Sequence, residues 1–464
     1  MARWSIPGLC ICASATVALI VLGQGCLSSN AVAVSREFVD IDVTAMSADT
    51  IGTQLAKHEP KEGCILGAYI DLDPTIKDIF RDEVGRTRKL PRAFEQTVGR
   101  KHGMYFFYLG YGYEPPRDWI RRLAEEDRFV HIALEPNDGL DMVQDDAYLE
   151  NLADKLNATG ARIFLRFASE MNGPWVRYHG SPKQYIEKFR MVTEVFRRRA
   201  PKVAMVWCPY TTPRRPIKDY YPGDNWVDWV GVNMYNVTYF DQNPKKPAKH
   251  VTPQVMLKYV YENFSERKPI MIGEYATTHY SPLEDKAYPE WAAQNISSLY
   301  RSIRTDYPRV KAINYFNCNN LLLSHRRNNN YLVQELPTVL DAYREAIKSP
   351  YFIANASDVP VRPSIDADIR VTKGMLFESP AFVTARLPVG TDTRRIRFLL
   401  DGDVIHTASA RAVASVTLEP GSFQPGRRVL RVEALDGSNR LVGAKDISVR
   451  IAPPQASQTV DPVQ

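Results

Sequence analysis

A chain of 464 residues is larger than one comfortable hydrophobic core, so two folded domains with appendages are expected. With 44% hydrophobic and 24% charged residues, its composition disfavours a wholly disordered chain and a multi-pass membrane protein. The net charge of +6 is scattered in doublets and one triplet, Arg197-Arg198-Arg199, rather than gathered in one run, which argues against a nucleic-acid partner.

In chain order, Arg3 and the uncharged stretch from Trp4 to Leu22 have the n-region and apolar h-region of an export signal, placed over residues 1–33. An exported protein is therefore expected: secreted, periplasmic or membrane-attached. Ala31-Val32-Ala33 fits a small-x-small cleavage site, and Leu22-Gly23-Gln24-Gly25-Cys26 resembles a lipoprotein box that would acylate Cys26. An uncleaved anchor is a third reading, because the apolar stretch is near the lower length limit of a membrane span. Of the six cysteines, Cys10, Cys12 and Cys26 fall in this leader. Cys64, Cys208 and Cys318 are far apart and read as buried free thiols.

Eight short apolar runs follow, separated by segments with helical periodicity: Cys64 to Ile70, Met104 to Leu109, Phe129 to Leu134, Arg162 to Phe167, Val203 to Trp207, Trp229 to Met234, Ile270 to Gly273 and Val310 to Phe316. Eight βα units in about 250 residues are what a (β/α)8 TIM barrel needs. No Gly-rich dinucleotide turn follows any run, and no cofactor or metal is expected. This domain is placed at 34–348, with a linker at 349–364 marked by Pro360 and Pro363. From Ile369 the pattern changes to short alternating runs, with hairpin-type Asp401-Gly402 and Asp436-Gly437. It predicts a C-terminal immunoglobulin- or fibronectin-like β-sandwich over 365–452 and a polar tail over 453–464.

Reactive groups of such a barrel gather at the C-terminal ends of its strands. Alternation along the fourth run turns Arg162, Phe164, Arg166, Ala168 and Glu170 inward, so Glu170 reaches the mouth. The same rule on the seventh aligns Ile270, Ile272 and Glu274. Two carboxylates facing one opening suit glycosidic cleavage, one as proton donor and one ionised at the anomeric carbon. Arg166, one layer below Glu170, needs an anionic partner such as Glu274, and Tyr235 on the sixth run has a hydroxyl beside the same carboxylate. Aromatic residues crowd the strand ends, Tyr111, Tyr113, Trp175, Tyr178, Trp207, Tyr210, Tyr239, Tyr275 and Phe316, and point to a sugar cleft. His131, Ala133 and Glu135 share the inward face of the third run, but no HxH or HExxH spacing accompanies them. A core histidine is the favoured reading over a metal ligand.

Three segments carry a resemblance. Arg166-Phe-Ala-Ser-Glu-Met-Asn-Gly-Pro-Trp175 resembles the acid/base motif of glycoside hydrolase family 26, the endo-β-mannanase and β-glucanase family. Tyr220 to Gly231 with Asn233-Met-Tyr235-Asn236 is similar to its sixth-strand region, and Pro269-Ile-Met-Ile-Gly-Glu274 to its nucleophile strand. The resemblance implies a retaining, endo-acting hydrolase of a β-linked polysaccharide. In it Glu170 is the general acid/base, Glu274 the nucleophile, Tyr235 the hydroxyl that holds it, and Asn172 and Trp175 line the sugar site. Leu134-Glu-Pro136 is similar to a family segment that makes Glu135 a subsite contact, and Arg166 and Trp207 complete the expected substrate-binding set. Ser169 stands where the family commonly has His, so mannan, mixed-linkage glucan, xylan and bacterial exopolysaccharide all stay open. A non-catalytic, exported glycan-binding protein on the same barrel is the alternative.

Overall fold

The computed structural model describes residues 39–47, 55–323, 328–360, 369–388, 391–408 and 413–453. The expected export signal with its three cysteines, part of the linker, and the tail beyond Pro453 lie outside the described residues.

Eight strands form a closed parallel barrel: Cys64–Tyr69, Met104–Gly110, Phe129–Glu135, Ile163–Phe167, Val203–Trp207, Trp229–Asn236, Ile270–Thr277 and Val310–Phe316. They pair in chain order, and the eighth closes on the first, from Ala312 opposite Ile65 to Phe316 opposite Tyr69. Each strand splits its side chains by alternation. Val203, Met205 and Trp207 of the fifth join the layer packed against the helices, while Ala204, Val206 and Cys208 fill the interior. Met104, Phe129, Phe164, Trp229, Met271 and Ala312 complete that inner layer, so the barrel axis is a packed core. The helix Pro182–Arg199 shows the sequence logic: Pro182 opens it, Tyr185, Phe189, Val192 and Phe196 are buried, and three arginines occupy its last turn, where they complement the dipole. Cys64, Cys208 and Cys318 are buried, and none forms a disulfide among the described residues.

Two domain boundaries differ from the sequence reading. The sequence pattern starts the linker at 349, yet Phe352–Ile353 pairs with the first barrel strand. Ala356 and Val359 pack into the barrel's inner core, and Arg162 donates to the carbonyls of both, at 2.5 and 2.6 Å. The segment closes the base of the barrel because buried apolar residues, not prolines, decide where a domain ends. The sequence pattern also starts the barrel domain at 34, yet Asp42–Ser47 pairs antiparallel with Ala381–Arg386 in a C-terminal sheet. Ile41, Val43 and Ala45 belong to that domain's core.

The C-terminal region holds a four-stranded sheet and a five-stranded sheet whose inward residues share one apolar cluster. Asp401 and Gly402, with φ of 52° and 94°, form the tight turn between Arg395–Leu400 and Asp403–Ala408. On the outer side of the four-stranded sheet, Arg386 donates to Glu194 of the barrel helix at 2.6 Å and to Thr44 at 2.6 Å. Both charges are removed from water, at 11% and 2% exposure. Truncating one partner of such a pair strands the other. Arg386→Ala is therefore expected to cost about 3 kcal/mol in chemical denaturation, whereas Arg386→Met combined with Glu194→Leu recovers most of the loss.

Candidate active site

The site is built around a guanidinium inside the barrel. Arg166 is 0% exposed. Its Nη2 meets Glu274 Oε1 at 2.5 Å, and its Nη1 donates to Asn233 Oδ1 at 3.0 Å. The rings of Phe106 and Tyr108 lie 5.5 and 5.8 Å from the guanidinium carbon.

Glu274 reaches this cation through a defect in its strand. Ile270 and Ile272 face the helices, and Met271 faces the interior. The register shift between Ile272 and Glu274 then brings Glu274 opposite Asn233 on the sixth strand. The sequence reading aligned Ile270 and Ile272 with Glu274, and the bulge corrects that alignment. The Tyr108 hydroxyl donates to Glu274 Oε1 at 2.6 Å, and the Tyr235 hydroxyl donates to Oε2. Burial works against ionisation of Glu274, but the Arg166 charge and these donors outweigh it and hold the carboxyl below its usual range.

Glu170 is delivered by a turn rather than by continued alternation. The fourth strand ends at Phe167, and Ala168 and Glu170 both adopt left-handed backbone, with φ of 47° and 61°. Neighbouring strands pin this turn: Ala168 N donates to Leu134 O at 3.0 Å, and Glu170 N donates to Cys208 O at 2.8 Å. Glu170 Oε1 accepts from Asn233 Nδ2 at 2.8 Å, and Oε2 accepts from Trp175 Nε1 at 2.6 Å. Desolvation by the surrounding walls, then the nearby Glu274 charge, push its carboxyl up to about 7 against the pull of the Asn233 and Trp175 bonds and Arg166. Two carboxyls in one hydrogen-bonded network are thus driven in opposite directions.

The other residues named from sequence separate into those at the opening and those beneath it. Trp175 stands at the opening, 53% exposed and edge-on to Tyr210. Its ring lies over Gly173, where a Cβ would fall 2.2 Å from it. Glu135 buttresses the turn: it accepts from Ser169 Oγ at 2.6 Å, Ser169 N at 3.1 Å and the Tyr178 hydroxyl at 2.7 Å. Asn172 is fully buried and ties the turn to the next loop, through Tyr210 O at 2.8 Å, Pro213 O at 2.9 Å and Tyr210 N at 2.9 Å. It does not line a sugar site. Trp207 is also fully buried, facing the helices against Tyr221 and Phe264. Of the crowded aromatics, Tyr111, Tyr178, Tyr275 and Phe316 are buried, whereas Tyr113 is 58% exposed and Tyr210 and Tyr239 are half-buried. His131 is buried, bonded to Asn314 at 3.1 Å, and held well below its ordinary pKa by burial and the Arg166 charge.

Sequence reasoning missed Tyr108 and Asn233 as site residues. Both were within reach of the alternation rule, since Met104, Phe106 and Tyr108 share one face, as do Trp229, Asn233 and Tyr235.

Residues 130–296 match the profile described as Glycosyl hydrolase family 26, a span that contains both glutamates. The matched span runs from the third barrel strand into the helix after the seventh. Endoglucanase H of Acetivibrio thermocellus is 26% identical over 61% of this chain and 30% of its own length. A beta-1,3-xylanase of Alcaligenes sp is 23% identical over 48% of this chain and 51% of its own. The chain therefore spans about a third and about half of these two relatives. Among solved structures, a family 26 beta-mannanase from Bacteroides ovatus is 15% identical, covering 65% of this chain and 92% of that one, with a TM-score of 0.44.

Among the described residues, Asn233 is the one side chain bonded to both Glu170 and Arg166. Its amide stabilises the charged form of Glu170, so Asn233→Ala should raise the Glu170 pKa above about 7. Infrared titration of the carboxyl stretch in protein carrying 13C-labelled glutamate reads the shift directly.

Proposed function

We propose that the protein is a retaining glycoside hydrolase that cleaves internal β-linkages of a polysaccharide, with Glu274 as nucleophile and Glu170 as general acid/base. The observation that carries this reading is the division of labour between the two carboxyls. Glu274 is held ionised by Arg166, Tyr108 and Tyr235, and Glu170 is pushed up to about 7 and so carries a proton near neutrality.

In the first step Glu274 forms a bond to the anomeric carbon as the glycosidic C–O bond breaks, and Glu170 gives its proton to the departing oxygen. In the second, the Glu170 carboxylate takes a proton from water, the water oxygen attacks the anomeric carbon, and Glu274 leaves as a free carboxylate. The half-exposed and exposed rings of Trp175, Tyr210 and Tyr239 supply apolar faces at the opening on which sugar rings stack.

The activities by which the two sequence relatives are known, endoglucanase and beta-1,3-xylanase, support a β-glycan substrate. The N-terminal sequence pattern supports export, with or without lipid attachment at Cys26. We infer that the two C-terminal sheets with their shared core form a sandwich of immunoglobulin or fibronectin kind.

Glu274→Ala should abolish hydrolysis across a polysaccharide panel. Glu170→Ala should lose about 10²- to 10⁴-fold on natural linkages, keep slow turnover of aryl glycosides with good leaving groups, and give a β-azide product in azide. Inversion at the anomeric carbon, seen by NMR of the first product, would refute retention; wild-type protein that turns over no glycan would favour the binding-protein alternative.

The pH profile follows from the same two groups. Activity requires Glu170 protonated and Glu274 ionised, so kcat/KM should fall as pH rises through about 7 and fall again only below the ordinary carboxylate range.

A further inference from the structure

The two C-terminal sheets have different outer faces. The four-stranded sheet is covered: Thr44 and Thr384 are 7% and 6% exposed, and Arg386 pairs with the barrel's Glu194. The five-stranded sheet turns Ile396, Phe398, Leu430, Val432, Ile447 and Val449 into the core. Alternation then sends Arg395, Arg397, Arg427, Arg431 and Arg450 outward.

Among the described residues, two carboxylates pair with these five arginines. Glu433 accepts from Arg397 at 2.6 Å and from Arg431 at 2.8 Å, and Asp446 pairs with Arg431 at 2.8 Å. Arg427 and Arg450 lie directly opposite each other on adjacent strands, both exposed, and neither forms an ion pair among the described residues. Like charges directly opposite cost stability. Arg395, near the other end of the face, bonds only the neutral Asn439, at 2.7 Å. From Arg427 to Leu435 the strand spans about 27 Å at ~3.4 Å per residue, enough for several sugar units in an extended chain. The only aromatic residues in these strands, Phe377 and Phe398, are in the core, so the face has no ring on which a neutral sugar can stack.

We propose that this face is a binding site for an anionic polysaccharide, whose carboxylates pair with Arg427 and Arg450 and restore the charge balance the sheet lacks. Bidentate pairing to planar carboxylates is the recognition for which a guanidinium is suited. The selection of a glycan among polyanions rests on the hydrolase reading of the barrel.

The test uses the full chain and alginate rich in β-linked mannuronate, with neutral glucan in parallel, by biolayer interferometry across a salt series. Alginate should bind with an affinity that falls as salt rises, and glucan should not bind at this face. Arg427→Gln with Arg450→Gln should weaken alginate binding at least tenfold and flatten the salt dependence without lowering the melting temperature, and Arg301→Gln on a barrel helix should change neither the binding nor its salt dependence. Undiminished alginate binding by the double variant overturns the proposal, as does tighter binding of duplex DNA or anionic phospholipid vesicles than of alginate at equal ionic strength. The two readings fail separately. Alginate binding through these arginines without turnover of any glycan upholds this site and removes the hydrolase, while glycan hydrolysis with alginate binding unaltered in the double variant does the reverse.

Discussion

A guanidinium with no exposure to water sits at the centre of this barrel, and the chemistry of the opening follows from what neutralises it. Removing Arg166 from solvent is costly unless its charge is paired and its donors are used. Glu274 provides the charge at 2.5 Å, Asn233 accepts a second donor at 3.0 Å, and two aromatic faces border the plane. Once Glu274 is committed as an anion, a second carboxyl close by ionises at a penalty. The raised value of Glu170 is thus partly a consequence of the same pair. The buried cation thereby fixes Glu274 as an anion, while burial and that anion raise Glu170, and Asn233 links Arg166 to Glu170.

Neither glutamate arrives by regular strand geometry. Glu274 depends on an extra residue in its strand, and Glu170 on two left-handed residues that lack the freedom of glycine. Such backbone persists only where neighbours over-determine it. Here Leu134 and Cys208 take the turn's amides, Glu135 grips Ser169 through both oxygens, and Asn172 anchors the following loop. Glu135 and Asn172 thus form part of the framework that holds a strained turn in place.

The barrel was legible because its signal is repetitive. Eight apolar runs alternating with helical periodicity leave few architectures to consider, and the runs fall on the observed strands within a few residues at each end. The site was legible where one strand's alternation held, as for Arg166 and Tyr235, and illegible where pairing with a neighbour intervened. Ile270 and Ile272 were turned the wrong way because a bulge is a property of two strands, while Glu274 still points inward. Trp207 was misjudged for a different reason: Ala204, Val206 and Cys208 claim the interior of its strand, so the same rule applied there sends the indole outward. Exposure of aromatic rings was the least readable feature, since Trp175 and Tyr275 both stand near strand ends and differ only in what packs over them.

The strand Asp42–Ser47 carries the problem of non-local pairing furthest. Nothing local in its sequence shows that its partner Ala381–Arg386 lies beyond the whole barrel. In the four-stranded sheet it is an interior strand, between Ile369–Arg370 and Ala381–Arg386, and it supplies Ile41, Val43 and Ala45 to the core. The C-terminal domain is therefore incomplete as a continuous stretch of chain, and in topological terms the barrel is an insertion within it. Closing so long a loop costs little more than closing a short one, because the penalty grows only with the logarithm of length, about 0.6 kcal/mol per doubling. A folded barrel reduces even that, by presenting the two ends of its own segment as fixed points rather than as the ends of a random coil. Arg386, bonded to both Thr44 of this strand and Glu194 of the barrel, is placed where that reduction would be secured.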